Sequence, residues 1–390
     1  MKKKIILALM ITAGLMTGCA KEEAESPVVQ TLEPEAIVVE ETEDTTEGEE
    51  DTEIVVAAEA TITERSVVDG KMQSYLTGEW KDEAVVKRRP LAIMIPNNKP
   101  ALPQYGISQA SVIYEAPVEG RVTRLMGVFE DYDNLDHIGP VRSSRDYYIY
   151  EALGFDAIYV NWGLAVPYVA DLINSSEVDN ISQANDGINK PSTEAFNRIT
   201  RNGYAKEFTG YMFLDGYNKA VERQGYQTQY HDWYKQGFLF ANDGHRAEYE
   251  DSDSATKIYP GGTSSNSSGY GDAKPCFTYN PDDGLYYRSE YGGPQIDEMN
   301  GDQIAVSNVI FKICHGEVRD SHDYLAFRVH GSGDAYIFTN GKVVKATWKY
   351  GDTYKTCQYF DENGNEIVLN QGKTWMCNIW EEYAEYMSWE

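Results

Sequence analysis

Short apolar runs separated by turn residues set the pattern of the chain from about residue 88 onward. Residues 91–95 are apolar at every position and predict a buried strand that ends at a Pro-Asn-Asn turn. The runs 110–118 and 122–130 flank Glu119-Gly120-Arg121, and this arrangement predicts a hairpin. A fourth strand is expected at 156–161.

Helical segments alternate with these strands. Gly154 and Gly225 each follow a predicted helix, where glycine is a common stop residue. The three predicted helices cover residues 147–153, 166–173 and 214–223. Alternating strands and helices predict a mixed α/β domain over about 82–240.

The second half of the chain has a different pattern. Runs rich in Val, Ile, Tyr, Phe and Trp are separated by Asp282-Asp283-Gly284, Asn340-Gly341 and Asn363-Gly364, which are strong turn signals. We therefore expect a mainly antiparallel β domain over 250–380, as a sandwich or an open barrel, and a two-domain α+β fold overall. Residues 261–271 are rich in Gly and Ser and predict a mobile loop. Residues 381–390 predict a short amphipathic helix or a frayed tail.

The first residues predict export. Lys2, Lys3 and Lys4 precede an apolar stretch over 5–16 that is too short to span a bilayer. Met16-Thr17-Gly18-Cys19 resembles the lipobox of bacterial lipoproteins, which implies a signal peptide over 1–18 and a lipid on Cys19. The alternative is an ordinary secretory signal cleaved at Thr17-Gly18.

The acidic charge of the chain is concentrated near this start. The net charge is −28, and about half of it lies in residues 21–65, which contain no aromatic residue. Such a segment cannot bury enough apolar surface to fold, so we expect an acidic, disordered linker over 19–81. The negative charge also argues against nucleic acid as a partner.

The remaining cysteines are Cys276, Cys314, Cys357 and Cys377. An even number of cysteines in a protein outside the cytoplasm permits two disulfides, and four cysteines can be paired in three ways. Cys357 and Cys377 flank a predicted hairpin, which favours that pair and leaves Cys276 with Cys314. Four buried free thiols are the alternative, especially in an anaerobic organism.

Most motifs for catalysis are absent from the sequence. It contains no phosphate-binding glycine loop, no nucleophile elbow and no zinc-binding H-E-x-x-H. The spacing of Asp131, Asp133, Asn134 and Asp136 does not fit a calcium loop, because Arg142 stands where the loop needs Glu. We therefore expect no metal and no cofactor.

A cluster of polar residues in the first domain remains as the candidate ligand site. Two arginines at a helix start favour an anion there, because free N–H groups and the helix dipole add to their charge. The alternative is a structural network in which Glu115 and Glu119 pair with Arg124, Arg142 or Arg145. The candidate residues are Asn97, Tyr114, Glu115, Glu119, Arg124, Arg142, Ser143 and Arg145.

Glu115 and Glu119 could also be the two catalytic carboxyl groups of a glycosidase. Four residues apart on a strand, they would lie about 13 Å from each other, whereas such enzymes place their carboxyl groups about 5–9.5 Å apart. A bend at Pro117 would narrow the gap. Glycan hydrolysis is therefore a weaker hypothesis.

Sequence motifs around the candidate site resemble those of a known family. Its motifs are matched by residues 89–95, by Ile113-Tyr114-Glu115, and by Ile138-Gly139-Pro140-Val141-Arg142-Ser143-Ser144-Arg145. These resemble the YerB-like bacterial lipoproteins, which combine a domain of unknown function with a companion C-terminal domain; residues 306–310 and Gly372-Lys373-Thr374-Trp375 resemble the latter. The chain differs from the family motifs at two places. Leu102 stands where the family has Arg, and Phe208-Thr209-Gly210 lies near the place where the family has Pro-His-Asn. The resemblance implies location and architecture but no activity.

We therefore expect a non-enzymatic binding or adaptor module, lipid-anchored at the extracytoplasmic face of the cell membrane. Its partner would be a cell-wall glycan or another envelope protein. The alternatives are an envelope hydrolase that acts on peptidoglycan or another glycan, and a solute-binding protein of a transporter. The sequence pattern argues against a solute-binding protein, because it does not predict a second α/β lobe.

Overall fold

The computed structural model describes residues 60–234, 237–351 and 356–390. The predicted signal peptide, Cys19 and the linker up to residue 59 lie outside the described residues. None of the helices in the described part of the chain has the length and hydrophobicity of a membrane-spanning segment.

A ten-stranded central sheet contains strands from both halves of the sequence. In spatial order its strands are Gln358–Phe360, Lys342–Tyr350, Gly331–Thr339, Asn308–Cys314, Thr374–Trp380, Val112–Val118, Val122–Phe129, Leu91–Pro96, Ile158–Trp162 and Asn180–Gln183. The halves meet where Thr374–Trp380 pairs in parallel with Val112–Val118. The predicted ranges 82–240 and 250–380 therefore share one sheet, and the second range does not close into a sandwich or barrel of its own.

Uninterrupted apolar runs explain why these strands lie in the middle of the sheet. Leu91–Pro96, Val112–Val118 and Thr374–Trp380 are buried at every position, as expected for strands covered on both faces. Along the first of them, Ala92 and Met94 pack into one core cluster, while Leu91, Ile93 and Ile95 pack into another. Successive side chains point to opposite faces, so each strand contributes to both cores.

Four α-helices are present in the described residues. The helices at 147–153, 166–173 and 214–223 were predicted, and all three are confirmed with small changes in their bounds. Gly225 ends the last helix with a φ of +73°, a conformation that glycine adopts without strain. The α-helices are Glu83–Val86, Asp146–Leu153, Val166–Ile173 and Leu214–Gln224, and the 3₁₀ helices are Lys99–Ala101, Ile107–Gln109, Thr193–Ala195, Lys206–Phe208 and Glu381–Tyr386.

Smaller sheets surround the central one. A six-stranded sheet contains Gly293–Pro294, Leu285–Glu290, Cys276–Asn280, Lys257–Tyr259, Ser388–Trp389 and Ala305–Val306. The other sheets join Lys71–Gln73 to Trp80–Asp82, His137–Ile138 to Gly210–Phe213 and Phe196–Arg198, Leu239–Phe240 to Val368–Leu369, and Gly316–Val318 to Leu325–Phe327.

The structure corrects both ends of the predicted body. The linker was predicted to extend to residue 81, but Ile62, Met72 and Leu76 are buried in the body. These apolar side chains allow residues 60–81 to fold onto the body. At the other end, the predicted tail forms a 3₁₀ helix and then the strand Ser388–Trp389, because Trp389 packs against Tyr336.

Neither predicted disulfide is present. Cys276, Cys314, Cys357 and Cys377 are all free and buried, which agrees with the alternative of four buried thiols. Burial raises the pKa of Cys357 to about 11, so this thiol stays protonated and is a poor nucleophile at neutral pH.

Candidate functional site

Glu115 lies at the centre of a closed group of polar side chains. Its carboxylate accepts hydrogen bonds from Arg288 (2.8 Å), Trp375 Nε1 (3.0 Å), Thr123 Oγ1 (2.7 Å) and Asn97 Nδ2 (3.1 Å). We call these five residues together with Glu290 the interior cluster. Glu115 has no exposed surface, so it cannot reach a ligand outside the fold.

Arg288 joins the two halves of the chain through this cluster. It comes from the strand Leu285–Glu290, and its side chain is fully buried. The guanidinium carbon lies 4.7 Å from the ring centre of Phe277 and 4.3 Å from that of Trp375. Its Nε donates to Gln295 Oε1 at 2.9 Å. A buried ion pair with this many partners fixes the position of the second half on the first.

Glu290 is the second carboxylate of the interior cluster. Burial, with a further contribution from Glu115, raises the pKa of Glu290 from 4.5 to about 8, although Arg288 opposes the shift. When folding raises the pKa of a group, the group contributes its full stabilisation of the folded state at pH values below its pKa in the unfolded chain. This contribution is lost as the pH rises through its pKa in the folded protein. The loss for Glu290 therefore falls between about pH 4.5 and pH 8.

Substituting Glu290→Gln should remove this pH dependence. Between pH 5.5 and pH 8, the free energy of unfolding of the unmodified chain should fall relative to the variant by about 1–3 kcal/mol. Urea unfolding of both proteins at the two pH values measures the difference. A stability difference that does not change with pH would contradict the assignment.

Glu119 belongs to a second group, at the hairpin turn. It forms a bidentate ion pair with Arg145, in which Nε lies 3.1 Å from Glu119 Oε2. Burial acts to raise the pKa of Glu119, but Arg145 and Arg124 outweigh it and lower the pKa. Arg124 is buried and donates to the carbonyl oxygen of Ser143 at 2.8 Å; its burial and the charge of Arg145 lower its pKa to about 10.

Arginines that lie beside the start of the helix Asp146–Leu153 contact carboxylates of the chain itself. Arg142 pairs with Glu207 at 3.1 Å, and Arg319 pairs with Asp146 at 2.5 Å. Asp146 also accepts from the backbone N–H of Tyr147. The anions favoured by this helix start are therefore already supplied within the fold.

The structure thus divides the eight predicted site residues. Asn97 and Glu115 belong to the interior cluster, and Tyr114 is buried against Phe155, with ring centres 6.0 Å apart. Asn97, Tyr114, Glu115, Arg124 and Arg145 are buried, and Arg142 and Ser143 are half-buried. The predicted internal network is present for Glu119 and Arg145, whereas Glu115 pairs with Arg288, which the sequence did not suggest.

Beside Glu119 lies a cavity of about 350 Å³, which we call the tip cavity. It is lined by the hairpin turn 117–121, by residues 267–269, and by Val318, Asp323, Leu325, Trp380 and Tyr383. Glu119 is the one predicted site residue in this lining. Other cavities, of about 300, 520 and 630 Å³, are each lined by residues from only one half of the chain.

The Gly/Ser-rich segment is packed against this region. Tyr270 is buried, and its hydroxyl donates to the carbonyl oxygens of Glu115 (2.9 Å) and Asn378 (3.0 Å). Gly269 has a φ of +88°, and a Cβ there would lie 2.7 Å from Pro117. These contacts correct the prediction of a mobile loop, at least for residues 268–270, and hold the segment as one wall of the cavity.

Sequence reasoning missed Asp323, Trp380 and Tyr383. They come from a turn and from the end of the chain, more than 200 residues after Glu119. The signal that could have found the two aromatic residues is the Trp-Glu-Glu-Tyr segment at 380–383, where aromatic and acidic side chains stand together. That segment gives no indication of Asp323. Among the described residues, no three His, Cys, Asp or Glu side chains are grouped so that they could hold a metal ion.

Comparisons with known proteins identify the family. Residues 76–227 match the N-terminal domain, and residues 267–376 the C-terminal domain, of a protein family of unknown function, DUF3048. YerB of Bacillus subtilis (strain 168), which is described as a candidate lipoprotein, is 25% identical over 308 residues, covering 78% of this chain and 86% of YerB.

A solved structure supports the fold. The crystal structure of the Bacillus subtilis YerB protein matches with a TM-score of 0.65 at 23% identity, and covers 81% of this chain and 98% of that chain. Both family domains are present in order, and together they match more than half of the sequence. The chain therefore belongs to the YerB-like family defined by the paired DUF3048 domains.

Proposed function

We propose that this chain is a lipid-anchored, non-enzymatic binding module of the cell envelope and that it holds its ligand in the tip cavity. The observation that carries the proposal is the composition of that cavity. Two aromatic side chains, Trp380 and Tyr383, and the carboxylates Glu119 and Asp323 line one concave space between the two halves of the chain. Ligand sites typically combine apolar walls with a few polar groups in this way.

The relative YerB supports the location in this proposal. Its description as a candidate lipoprotein agrees with the lipobox-like sequence at Cys19. A lipid there would tether the body to the outer face of the membrane through the acidic segment that follows. A cell-wall component within reach of this tether is the favoured partner, with another envelope protein as the alternative.

The geometry weakens the hydrolase alternative. A glycosidase needs one carboxyl group with a raised pKa as general acid, next to a second carboxylate. Glu115 is enclosed and bound by four side chains, and Glu119 has a lowered pKa because Arg145 and Arg124 hold it ionised. Neither residue is suited to donate a proton to a leaving group.

The solute-binding alternative requires two lobes that close on a ligand about a hinge. Here the strands of both halves form one central sheet, joined by the parallel pair Thr374–Trp380 and Val112–Val118. A continuous sheet through buried strands opposes hinge motion between the halves.

Filling the tip cavity tests the proposed function. Val318 lines the cavity and is 51% exposed, so Val318→Trp should occupy the space without disturbing the core. Retention of the full-length chain on purified cell-wall material, measured by co-sedimentation, should fall by about tenfold or more.

Val68→Trp is the matched control, because Val68 is also 51% exposed but does not line this cavity. Its retention on the wall should stay within about twofold of the parent. Unchanged retention of the Val318→Trp protein, with a normal melting temperature, would overturn the proposal.

A further inference from the structure

We infer that the tip cavity, if it binds as proposed above, takes a ligand with a primary ammonium group, carried on the side chain of a short cell-wall peptide. This inference rests on the proposed function and adds the chemical class of the ligand. It follows from the charges, the rings and the size of the cavity.

The carboxylate of Asp323 is the available charge in the cavity. Among the charged lining residues, Glu119 is paired with Arg145, and Arg121 lies 3.5 Å from Asp272. Within the part of the chain that the structure describes, the Asp323 side chain makes no ion pair, and it is exposed. An unpaired carboxylate at a cavity mouth favours a cationic partner.

The aromatic walls point to the same ligand class. The ring centres of Trp380 and Tyr383 lie 5.2 Å apart, with their planes at 85°. Elsewhere in the fold, aromatic rings already have a cation over them: Arg145 lies over Tyr324, and Arg319 over Tyr168. Over Trp380 and Tyr383 no Lys or Arg of the described residues is placed. Trp380 is buried, whereas Tyr383 is half-buried, so the Tyr383 ring is the one that a cation from outside can reach.

The size and the apolar lining fit an aminoalkyl chain. The volume of about 350 Å³ is at the small end of ligand sites, which suits a single ligand side chain. Val118 and Leu325 offer apolar contact for methylene groups, while the charged end meets Asp323 and the ring of Tyr383. The net charge of −28 also attracts cationic ligands over a longer range.

The shared chemistry is the free side-chain ammonium of a diamino acid. Such a group occurs in cell-wall peptides that have not been cross-linked, and also as lysine on protein surfaces. The small volume of the cavity favours a side chain on a flexible wall peptide, and a lysine on a protein surface becomes an outcome of the test.

Fluorine NMR of the full-length chain labelled with 5-fluorotryptophan tests the inference. The resonance of Trp380, assigned with Trp380→Phe, should shift saturably on titration with Nα-acetyl-lysine amide. Nα-acetyl-norleucine amide, which keeps the methylene chain but lacks the ammonium, should bind about tenfold more weakly or worse.

Asp323→Asn supplies the matching variant. Asp323 has a φ of +60°, and Asn tolerates this conformation as well as Asp does, so the fold should be retained. The affinity for the lysine derivative should fall by about fivefold or more. Glu382→Gln is the control, because Glu382 is exposed and outside the cavity lining; its affinity should change by less than about twofold.

Acetylation of the free amines of the cell-wall material distinguishes the possible failures. Loss of retention after acetylation supports the inference. Equal retention before and after acetylation, with retention still lost in Val318→Trp, overturns the ammonium but leaves the cavity as the binding site. Retention that is insensitive to Val318→Trp overturns the proposed function itself.

Binding to a purified envelope protein through its lysines, without binding to the wall, would overturn the assignment to a wall peptide.

Discussion

Replacing Arg288 with Met should lower the free energy of unfolding by about 3–5 kcal/mol. The side chain of Arg288 is fully buried and lies 2.8 Å from Glu115, which is also fully buried. Methionine keeps most of the volume between Phe277 and Trp375 but leaves the Glu115 carboxylate without its cation. An unpaired buried charge is among the largest single penalties that a fold can carry.

Urea unfolding followed by tryptophan fluorescence measures this effect. Arg121→Met is the control, because Arg121 is exposed and its partner Asp272 lies 3.5 Å away; its effect should stay within about 0.5 kcal/mol. The double variant Glu115→Gln with Arg288→Met should recover part of the lost stability, since it removes the unpaired charge. A loss below about 1 kcal/mol for Arg288→Met would contradict the structural role of the interior cluster.

The second large effect is expected at Lys312, which forms another buried ion pair between the halves. Its ammonium lies 2.9 Å from Glu151 and donates to the carbonyl oxygen of Val329 at 3.0 Å. Burial acts to lower the pKa of Lys312, but negative charge on Cys357, once its thiol is ionised, and on Glu151 raises the pKa above its ordinary value. The lysine is therefore charged in the folded state, and Lys312→Met should cost about 3–5 kcal/mol because Glu151 loses its cation.

Lys87→Met gives the matched comparison for this substitution. Lys87 forms an exposed i,i+4 pair with Glu83, and such pairs contribute about 0.5 kcal/mol or less. Unfolding curves of the two variants should therefore differ widely in midpoint. Similar midpoints for Lys312→Met and Lys87→Met would show that the buried pair does not stabilise the contact between the halves.

The local elements could be predicted from the sequence because they depend on near neighbours. The run 91–95 and the helix at 166–173 follow from apolar spacing, and Gly225 marks a helix end. The hairpin around Asn340-Gly341 follows from its turn residues in the same way.

The pairing of distant segments could not be predicted in this way. Nothing in the residues around Thr374–Trp380 indicates that they lie beside Val112–Val118, about 260 residues earlier. For the same reason the alternative of a structural network paired Glu115 with nearby arginines, whereas its partner Arg288 lies 173 residues away. Side-chain chemistry suggests which groups need partners, but the order of strands decides which partners they find.

The candidate site was predicted only in part for this reason. Glu119 was identified because it stands at a hairpin turn among arginines, and it does line a cavity. The opposite wall, with Asp323, Trp380 and Tyr383, is brought there by the second half of the chain. The helix start at Arg142, which favoured an anion in isolation, is satisfied by Glu207 and Asp146.

Hydrogen–deuterium exchange of the full-length chain, with and without soluble cell-wall fragments, tests the central claim most directly. The claim is that the ligand occupies the tip cavity and that the interior cluster is structural. We expect protection in peptides that cover residues 117–121 and 380–383, with little change around Arg142. Protection confined to the helix start at 142–146, or to regions away from the tip cavity, would contradict the claim.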